Sequence, residues 1–166
     1  MSRVKIKLFV ALGTQKFPFD RLVRELNALV EEGVYAADEI VMQSTKIGKV
    51  QPLFTCHEFI PVEEFNRFLD AAEVVVCHSG VNSILSGMQR CKPLVIVPRI
   101  SRFGEHVDDH QLEIAKVMEE RYRVLVARDM ADLRKCIEDS KTHVYLPFVS
   151  QRENLVSAVR DIIEML

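Results

Sequence analysis

The stretch that decides the fold is Val74-Val-Val-Cys-His-Ser-Gly-Val-Asn-Ser-Ile-Leu-Ser86. It begins with β-branched apolar residues, Val74 to Val76, which is the composition of a strand buried on both faces. A sharp turn at His78-Ser79-Gly80 follows, and apolar residues then recur at helical spacing from Val81 to Gln89. The stretch therefore predicts a strand, a tight turn and a helix in direct succession.

This succession has a chemical consequence at the turn. A turn of small residues that opens a helix directs free backbone N–H groups at one spot, where the helix dipole also favours an anion. Gly80 leaves room for a ligand near the main chain, and Asn82 and Ser83 add side-chain donors. The alternative interpretation is an ordinary tight turn between a strand and a helix, in which a Ser-Gly pair is common. From the residues alone, both interpretations stay open.

The rest of the chain repeats the alternation of strands and helices. Strands are predicted at Val4–Leu12, Glu39–Gln43, His57–Ile60, Pro93–Pro98 and Arg123–Val126, and helices at Pro18–Gly33, from Pro61, from Asp108, and at Asp129–Asp139 and Glu153–Leu166. Asp108 is the expected cap of its helix, with Gln111 as its capping-box partner. The best strands are too apolar to have a solvated face. We therefore predict one α/β domain over residues 1–166, with a Rossmann-like parallel sheet and helices on both faces.

Composition narrows the class of protein. A net charge of −2 argues against nucleic acid as a partner, and no apolar run approaches the length of a membrane span. The N-terminus lacks the apolar core of a signal peptide. The four cysteines are scattered without a Cys-x-x-Cys pair, which is typical of a reducing compartment. These features favour a cytoplasmic location.

Three histidines, His78, His106 and His110, fall in loops that follow predicted strands. Ligands of open parallel sheets bind at the carboxyl ends of the strands, so these loops are the expected ligand edge. Neither a Gly-x-Gly-x-x-Gly fingerprint nor a Walker motif is present. His106 and His110 lie four residues apart among carboxylates, but no zinc-type spacing is matched, and we expect no metal. A loop that recognises sugar hydroxyls and a plain solvated helix start are the alternatives there.

Four segments carry a resemblance to a known family. They are Val10-Ala-Leu-Gly-Thr-Gln-Lys-Phe-Pro-Phe-Asp-Arg-Leu22, Cys77-His-Ser-Gly-Val-Asn-Ser83, Lys92-Pro-Leu-Val-Ile-Val-Pro98 and Gly104-Glu-His-Val-Asp-Asp-His-Gln111. In this order they resemble the C-terminal, donor-binding half of family 28 glycosyltransferases of the GT-B type. The chain is most similar to small bacterial subunits of the PssE and EpsF kind, and more distantly to the catalytic subunit of the two-part N-acetylglucosaminyltransferase of the dolichol pathway.

The resemblance implies an activity and partners. It implies inverting transfer of a sugar from a UDP-sugar, as donor substrate and without a further cofactor, to a lipid-linked saccharide in exopolysaccharide or capsule assembly. It also implies a membrane-anchored subunit that supplies the acceptor half, which would hold this chain at the inner face of the membrane. An isolated half would expose its cleft face, so a homodimer is a further expectation.

The resemblance also assigns site residues. Gly13, Thr14 and Gln15 and the Ser79-Gly80 turn match positions that line the diphosphate, with His78, Asn82 and Ser83 in the same segment. The main chain at Phe59-Ile60 matches the loop beside uracil, and Asp109, His110 and Gln111 match the loop that faces the donor sugar. Glu105 and His106 are the candidate bases in this chain, unless the partner supplies the base.

One position departs from the family pattern. Ser86 stands where relatives often carry a glutamate that holds the ribose hydroxyls, and serine cannot act as a charged bidentate acceptor. Ser86 favours a second hypothesis, a non-catalytic UDP-sugar-binding or scaffolding subunit with the same fold. A third hypothesis is an unrelated nucleotide-binding α/β protein that acts alone.

Overall fold

The computed structural model describes residues 5–149, which form one six-stranded sheet covered by helices. The strands are β1 (Leu8–Ala11), β2 (Ile40–Gln43), β3 (Thr55–His57), β4 (Val74–Cys77), β5 (Leu94–Ile96) and β6 (Leu125–Val126). The helices are α1 (Asp20–Glu31), α2 (Val62–Ala71), α3 (Val81–Gln89), α4 (His110–Tyr122) and α5 (Leu133–Ser140). The predicted helix at Glu153–Leu166 lies outside the described residues.

The sheet is parallel throughout, with the strand order β3-β2-β1-β4-β5-β6. This order reverses between β1 and β4, because the chain leaves β3 at one edge and returns beside β1. The loops after β1 and β4 therefore lie side by side at the carboxyl edge. Such a switch point is where open α/β sheets bind ligands. The predicted fold class, a Rossmann-like α/β half-domain, is confirmed.

Two apolar layers enclose the sheet. On one face, Leu8 and Val10 pack in a cluster with residues of α1 and α5, such as Leu26 and Ile137. On the other face, Phe9 packs in a cluster with residues of α2, α3 and α4. Both sets of β1 side chains are fully buried, which is why its sequence has no polar alternation. None of the helices in residues 5–149 is long and apolar enough to cross a membrane.

Several predicted element boundaries differ from the observed ones, and two of them bear on the carboxyl edge. The third strand is Thr55–His57 rather than His57–Ile60, because its register is set by β2, with Val41 opposite Thr55 and Gln43 opposite His57. Helix α4 is capped at Asp109 rather than Asp108, and the Asp109 side chain accepts no hydrogen bond from the first turn of the helix. The Asp108 carboxylate instead accepts from the backbone N–H of His110 at 3.1 Å. Gln111 is buried and takes no part in a capping box.

Gln43, the last residue of β2, joins two loops at the carboxyl edge. Its side-chain amide donates to the carbonyls of Gly13 and Glu58, each at 3.1 Å. Gln43 is 6% exposed, and both bonds are partly buried. Gln43 therefore fixes the turn after β1 against the loop that leads into α2.

We expect Gln43→Ala to lower the free energy of unfolding by about 1–3 kcal/mol, because it removes the donor of two partly buried hydrogen bonds. Urea denaturation measures the loss. The matched control is Gln89→Ala at the exposed end of α3, which should change stability by less than about 0.5 kcal/mol. Equal effects of the two substitutions would show that Gln43 does not hold the edge together.

Candidate functional site

A cavity of about 350 Å³ opens where the turn after β1 meets the turn after β4. Its lining residues come from these two turns and from the first turn of α3: Gly13, Thr14, Gln15, His78, Gly80, Val81, Asn82 and Ser83. None of these eight residues carries a carboxylate. Seven of these eight lining residues were predicted as site residues, and Val81 was not. The structure therefore brings the seven together in one uncharged, polar cavity.

The start of α3 supplies backbone donors to this cavity. Gly80 is the N-cap, and the N–H of Ile84 donates to the Gly80 carbonyl at 3.1 Å. The N–H groups of Val81, Asn82 and Ser83 precede that bond and have no intrahelical acceptor. Together with the helix dipole, they make this end of α3 attractive to an anion.

Ser79 offers fewer hydrogen-bond donors to the cavity than its place in the turn suggests. Its backbone N–H donates to Oε1 of Gln111 at 3.2 Å, so it is not free for a ligand. Its side chain is 1% exposed, and its hydroxyl has no hydrogen-bond partner among the described residues. The expectation that the whole Ser79-Gly80 turn presents free N–H groups is corrected at Ser79, since the start of α4 packs behind the turn.

The imidazole of His78 fills the space between the two turns. A Cβ added at Gly13 would lie 2.7 Å from Nε2 of His78, and one added at Gly80 would lie 2.2 Å from Cε1. Gly13 also has a φ of 67°, which side chains rarely adopt. Both glycines thus make room for the histidine ring, whereas we expected Gly80 to make room for a ligand directly.

Burial makes His78 a neutral histidine. The residue is 7% exposed, and burial with the nearby charge of Arg99 lowers its pKa from 6.5 to about 4. Repulsion from His106 also lowers the pKa of His78, to a smaller extent. At neutral pH the ring is uncharged and offers one N–H donor.

Of the two candidate bases, Glu105 is engaged in the protein interior. Its carboxylate accepts from Nε and Nη2 of Arg21 at 2.9 and 3.0 Å and from the N–H of Ile100 at 2.9 Å. The residue is 2% exposed. These contacts argue against Glu105 as a base and give it a structural task, which is to fasten the loop after β5 to α1.

His106 is more accessible but lies outside the cavity lining. Its Nδ1 is 2.9 Å from the carboxylate of Asp108, and its ring packs 5.9 Å from the ring of Phe17. The carboxylate orients the imidazole through Nδ1, and Nε2 takes no part in this contact. Such an arrangement suits a general base.

The three residues expected to face a donor sugar separate in the structure. Asp109 is exposed, accepts from the N–H of Ser101 at 2.8 Å and lines a second cavity of about 680 Å³. His110 is also exposed, with Nδ1 3.3 Å from Glu113. Gln111 turns inward toward His78. Ile60 is buried among residues of the α2 side and does not line the 350 Å³ cavity.

Arg99 has a structural role that the sequence analysis did not predict. It is fully buried, and its guanidinium donates to the carbonyls of Phe17 at 2.8 Å and of Leu12 and Glu105 at 3.3 Å. Burial lowers its pKa to about 10, so it stays charged at neutral pH. The available signal was its place immediately after the buried strand segment that ends at Pro98.

Within residues 5–149, no group of three or more histidine, cysteine, aspartate or glutamate side chains is placed to hold a metal ion. His106 and His110 pair with different carboxylates, Asp108 and Glu113.

Residues 7–166 match the glycosyltransferase family 28 C-terminal domain. The chain belongs to this family. The match covers nearly the whole sequence and includes all four segments that carried the resemblance. This family 28 domain is thus a glycosyltransferase domain of the GT-B type, whereas a place among the PssE- and EpsF-like subunits goes beyond this match. A comparison with curated proteins gave no significant match.

Solved structures agree with the family at the level of the fold. The solution structure of ALG13 is 20% identical, with a TM-score of 0.54, over 88% of this chain and 90% of that one. The calicheamicin glycosyltransferase CalG4 is 20% identical, with a TM-score of 0.58, over 86% of this chain but 35% of its own length. The spinosyn forosaminyltransferase SpnP is 19% identical, with a TM-score of 0.53, over 82% and 35%. The family 28 domain therefore spans about a third of these two enzymes and most of ALG13.

We expect His78 to make stability depend on pH. Its folded pKa of about 4 lies below the unfolded value of 6.5, so between these values the unfolded chain binds more protons. Its contribution is complete above about pH 6.5 and is lost as the pH falls toward 4, by about 1 kcal/mol per pH unit. Urea midpoints at several pH values should show that His78→Gln flattens this decline, whereas His110→Gln, at an exposed ring, preserves it. An unchanged slope in His78→Gln would contradict the assignment.

Proposed function

We propose that this chain is the donor-binding and catalytic subunit of a heteromeric inverting glycosyltransferase. It takes a UDP-sugar and passes the sugar to a lipid-linked saccharide acceptor in exopolysaccharide or capsule assembly. The observation that carries the proposal is the polar cavity of about 350 Å³ at the start of α3, whose lining includes no carboxylate. This volume lies at the lower end of ligand pockets and suits the diphosphate portion of the donor.

In this proposal the cavity stabilises the leaving UDP. Charge develops on the diphosphate as the glycosidic bond breaks, and donors fixed in advance lower the energy of that state. The N–H groups at the start of α3, the side chains of Thr14 and Asn82, and neutral His78 supply these donors. The main chain at Ile60 serves the uracil, and exposed Asp109 and His110 serve the donor sugar.

The acceptor half comes from a second subunit in this proposal. Residues 5–149 form one Rossmann-like half, and GT-B enzymes transfer the sugar across a cleft between two such halves. We propose a membrane-anchored partner that carries the acceptor-binding half and places this chain at the inner face of the membrane. Since Arg21 holds Glu105, the base is either His106, oriented by Asp108, or a group of that partner.

A second candidate function is a UDP-sugar-binding or scaffolding subunit without turnover. The observation that favours it is Ser86, a half-buried residue of α3 whose carbonyl accepts from Arg90 at 3.3 Å. Its hydroxyl can hold only one ribose oxygen at a time and brings no charge to that bond.

Two experiments test the proposal. Isothermal titration should show that UDP binds more tightly than ADP or GDP, and equal affinities would favour an unrelated nucleotide-binding protein. The chain is then expressed with a membrane-anchored candidate partner and assayed for transfer from a panel of UDP-sugars to a lipid-linked saccharide. Product formation that requires both subunits supports the enzyme. Tight UDP binding without any product, from a partner assembled with the chain, favours the non-catalytic subunit.

We expect Asn82→Asp to weaken UDP binding by at least about fivefold, because a negative charge in the first turn of α3 repels the diphosphate. The same carboxylate favours the helix dipole, so the variant should fold at least as well as the unmodified chain. Gln89→Asp places the same charge at the other end of α3 and is the matched control. Titration calorimetry reads both affinities, and an unaffected Asn82→Asp would remove this end of α3 from the site.

We expect Ser86→Glu to tighten UDP binding by about threefold to tenfold, since a carboxylate accepts two charge-assisted hydrogen bonds from the ribose hydroxyls. Uridine 5′-diphosphate and its 2′,3′-dideoxy analogue are compared by titration. The gain should vanish with the dideoxy compound. If the gain persists with that compound, position 86 does not face the ribose.

A further inference from the structure

Gln111 lies in the first turn of α4 and joins three segments at the back of the cavity. The residue is 5% exposed. Its Oε1 accepts from the backbone N–H of Ser79 at 3.2 Å and from that of Arg99 at 3.0 Å. Its Nε2 lies 3.2 Å from Nδ1 of His78. One side chain therefore contacts the turn after β4, the end of the segment after β5 and the histidine of the site.

These contacts fix the orientation of the Gln111 amide. Both groups beside Oε1 are backbone N–H groups, which can only donate, so the oxygen must face them. Rotating the amide by half a turn would place its NH₂ against two donors, and two buried bonds would be lost. The NH₂ group therefore faces His78 and donates to Nδ1.

The fixed amide in turn decides where His78 carries its proton. A ring nitrogen that accepts a hydrogen bond bears no proton, so neutral His78 is protonated at Nε2. That nitrogen lies between the two cavity glycines, at 2.7 Å and 2.5 Å from the Cβ positions that Gly13 and Gly80 lack. The N–H bond thus emerges at the wall of the cavity.

We infer that Gln111 is a positioning residue that sets the tautomer of His78, so that the Nε2–H donor, rather than a bare nitrogen, faces the cavity. The use of this donor for a diphosphate oxygen rests on the proposed function, but the tautomer does not. This role differs from the sugar contact that the family resemblance implies for Gln111. The role requires only a buried amide with two main-chain donors on its oxygen.

The charged groups near His78 do not compete for this role. Arg99 and His106 both act to keep a proton off the ring, and neither is among the described hydrogen-bond partners of Nδ1. The other polar side chains at the cavity, Thr14, Gln15, Asn82 and Ser83, are uncharged. Gln111 is the one described residue that bonds to the ring, and its bond selects the tautomer.

Long-range ¹H–¹⁵N correlation spectra of the ¹⁵N-histidine-labelled full chain test the inference without nucleotide. In the unmodified chain at pH 7, we expect His78 to be neutral and protonated at Nε2. A proton on Nδ1, or a charged ring, would overturn the inference without any variant.

The decisive variant is Gln111→Glu. One carboxylate oxygen can still accept from Ser79 and Arg99, but the other cannot donate, so Nδ1 of His78 must become protonated. We expect the proton to move to Nδ1 and the pKa of His78 to rise from about 4 to above about 5, since a carboxylate now faces the ring. The matched control is Glu113→Gln, an exposed change of the same pair of residue types in α4, which should leave both signals unchanged. An unaltered tautomer and pKa in a folded Gln111→Glu protein would refute the role.

UDP titrations of the same proteins separate this inference from the proposed function. The expected result is that Gln111→Glu binds UDP at least about tenfold more weakly, through repulsion and the misplaced proton. If the tautomer changes as described but no protein binds UDP, the proposed function fails and the positioning role stands. If UDP binds and the tautomer does not respond to Gln111, the positioning role fails and the proposed function stands.

Discussion

The carboxyl edge of this sheet depends on one buried cation. A guanidinium without exposure to water is costly unless its N–H groups are bonded, and Arg99 meets this need with the carbonyls of Leu12, Phe17 and Glu105. It also lies 4.9 Å from the ring centre of Phe19. Its Nε has no partner among the described residues, so the arrangement is not optimal for stability alone. The benefit is geometric, because one rigid side chain fixes the turn after β1 against the loop after β5.

Two further buried contacts act in the same layer. The Arg21–Glu105 pair fastens the loop after β5 to α1, and Gln111 fastens the start of α4 to the turn after β4. Breaking a buried ion pair by removing one partner is strongly destabilising, because the other charge stays behind. The buried polar groups of this edge therefore form hydrogen bonds mainly with one another. The donors that stay available to a ligand are those at the start of α3 and on His78. A site prepared in this way needs little rearrangement to receive an anion.

The fold could be predicted from the sequence because local residue patterns determine most of its strands and helices. Apolar strands such as Val74–Cys77 and the helical spacing from Val81 to Gln89 predict their elements without knowledge of the rest of the chain. Element ends that depend on a neighbour were predicted less well, as at β3, whose register β2 determines. The buried polar layer was missed for a related reason. Arg99 and Glu105 look like residues of an exposed loop until their contacts with Phe17 and Arg21, which are distant in sequence, are known.

At the candidate site, too, local sequence patterns predicted some features and contacts distant in sequence decided others, here at the level of single atoms. Sequence and resemblance identified the residues around the cavity, including Gly13, His78 and Asn82, but not which of their donors are free. The Ser79 N–H donates to Gln111, and the ring of His78 occupies the space beside Gly80. A glycine after a strand is compatible both with a ligand that approaches the backbone and with a neighbouring ring. Only the position of that ring decides, and here the ring itself carries the donor that the open backbone was expected to provide. In the proposed function, recognition of the diphosphate then depends on the protonation of one buried imidazole as much as on the helix behind it.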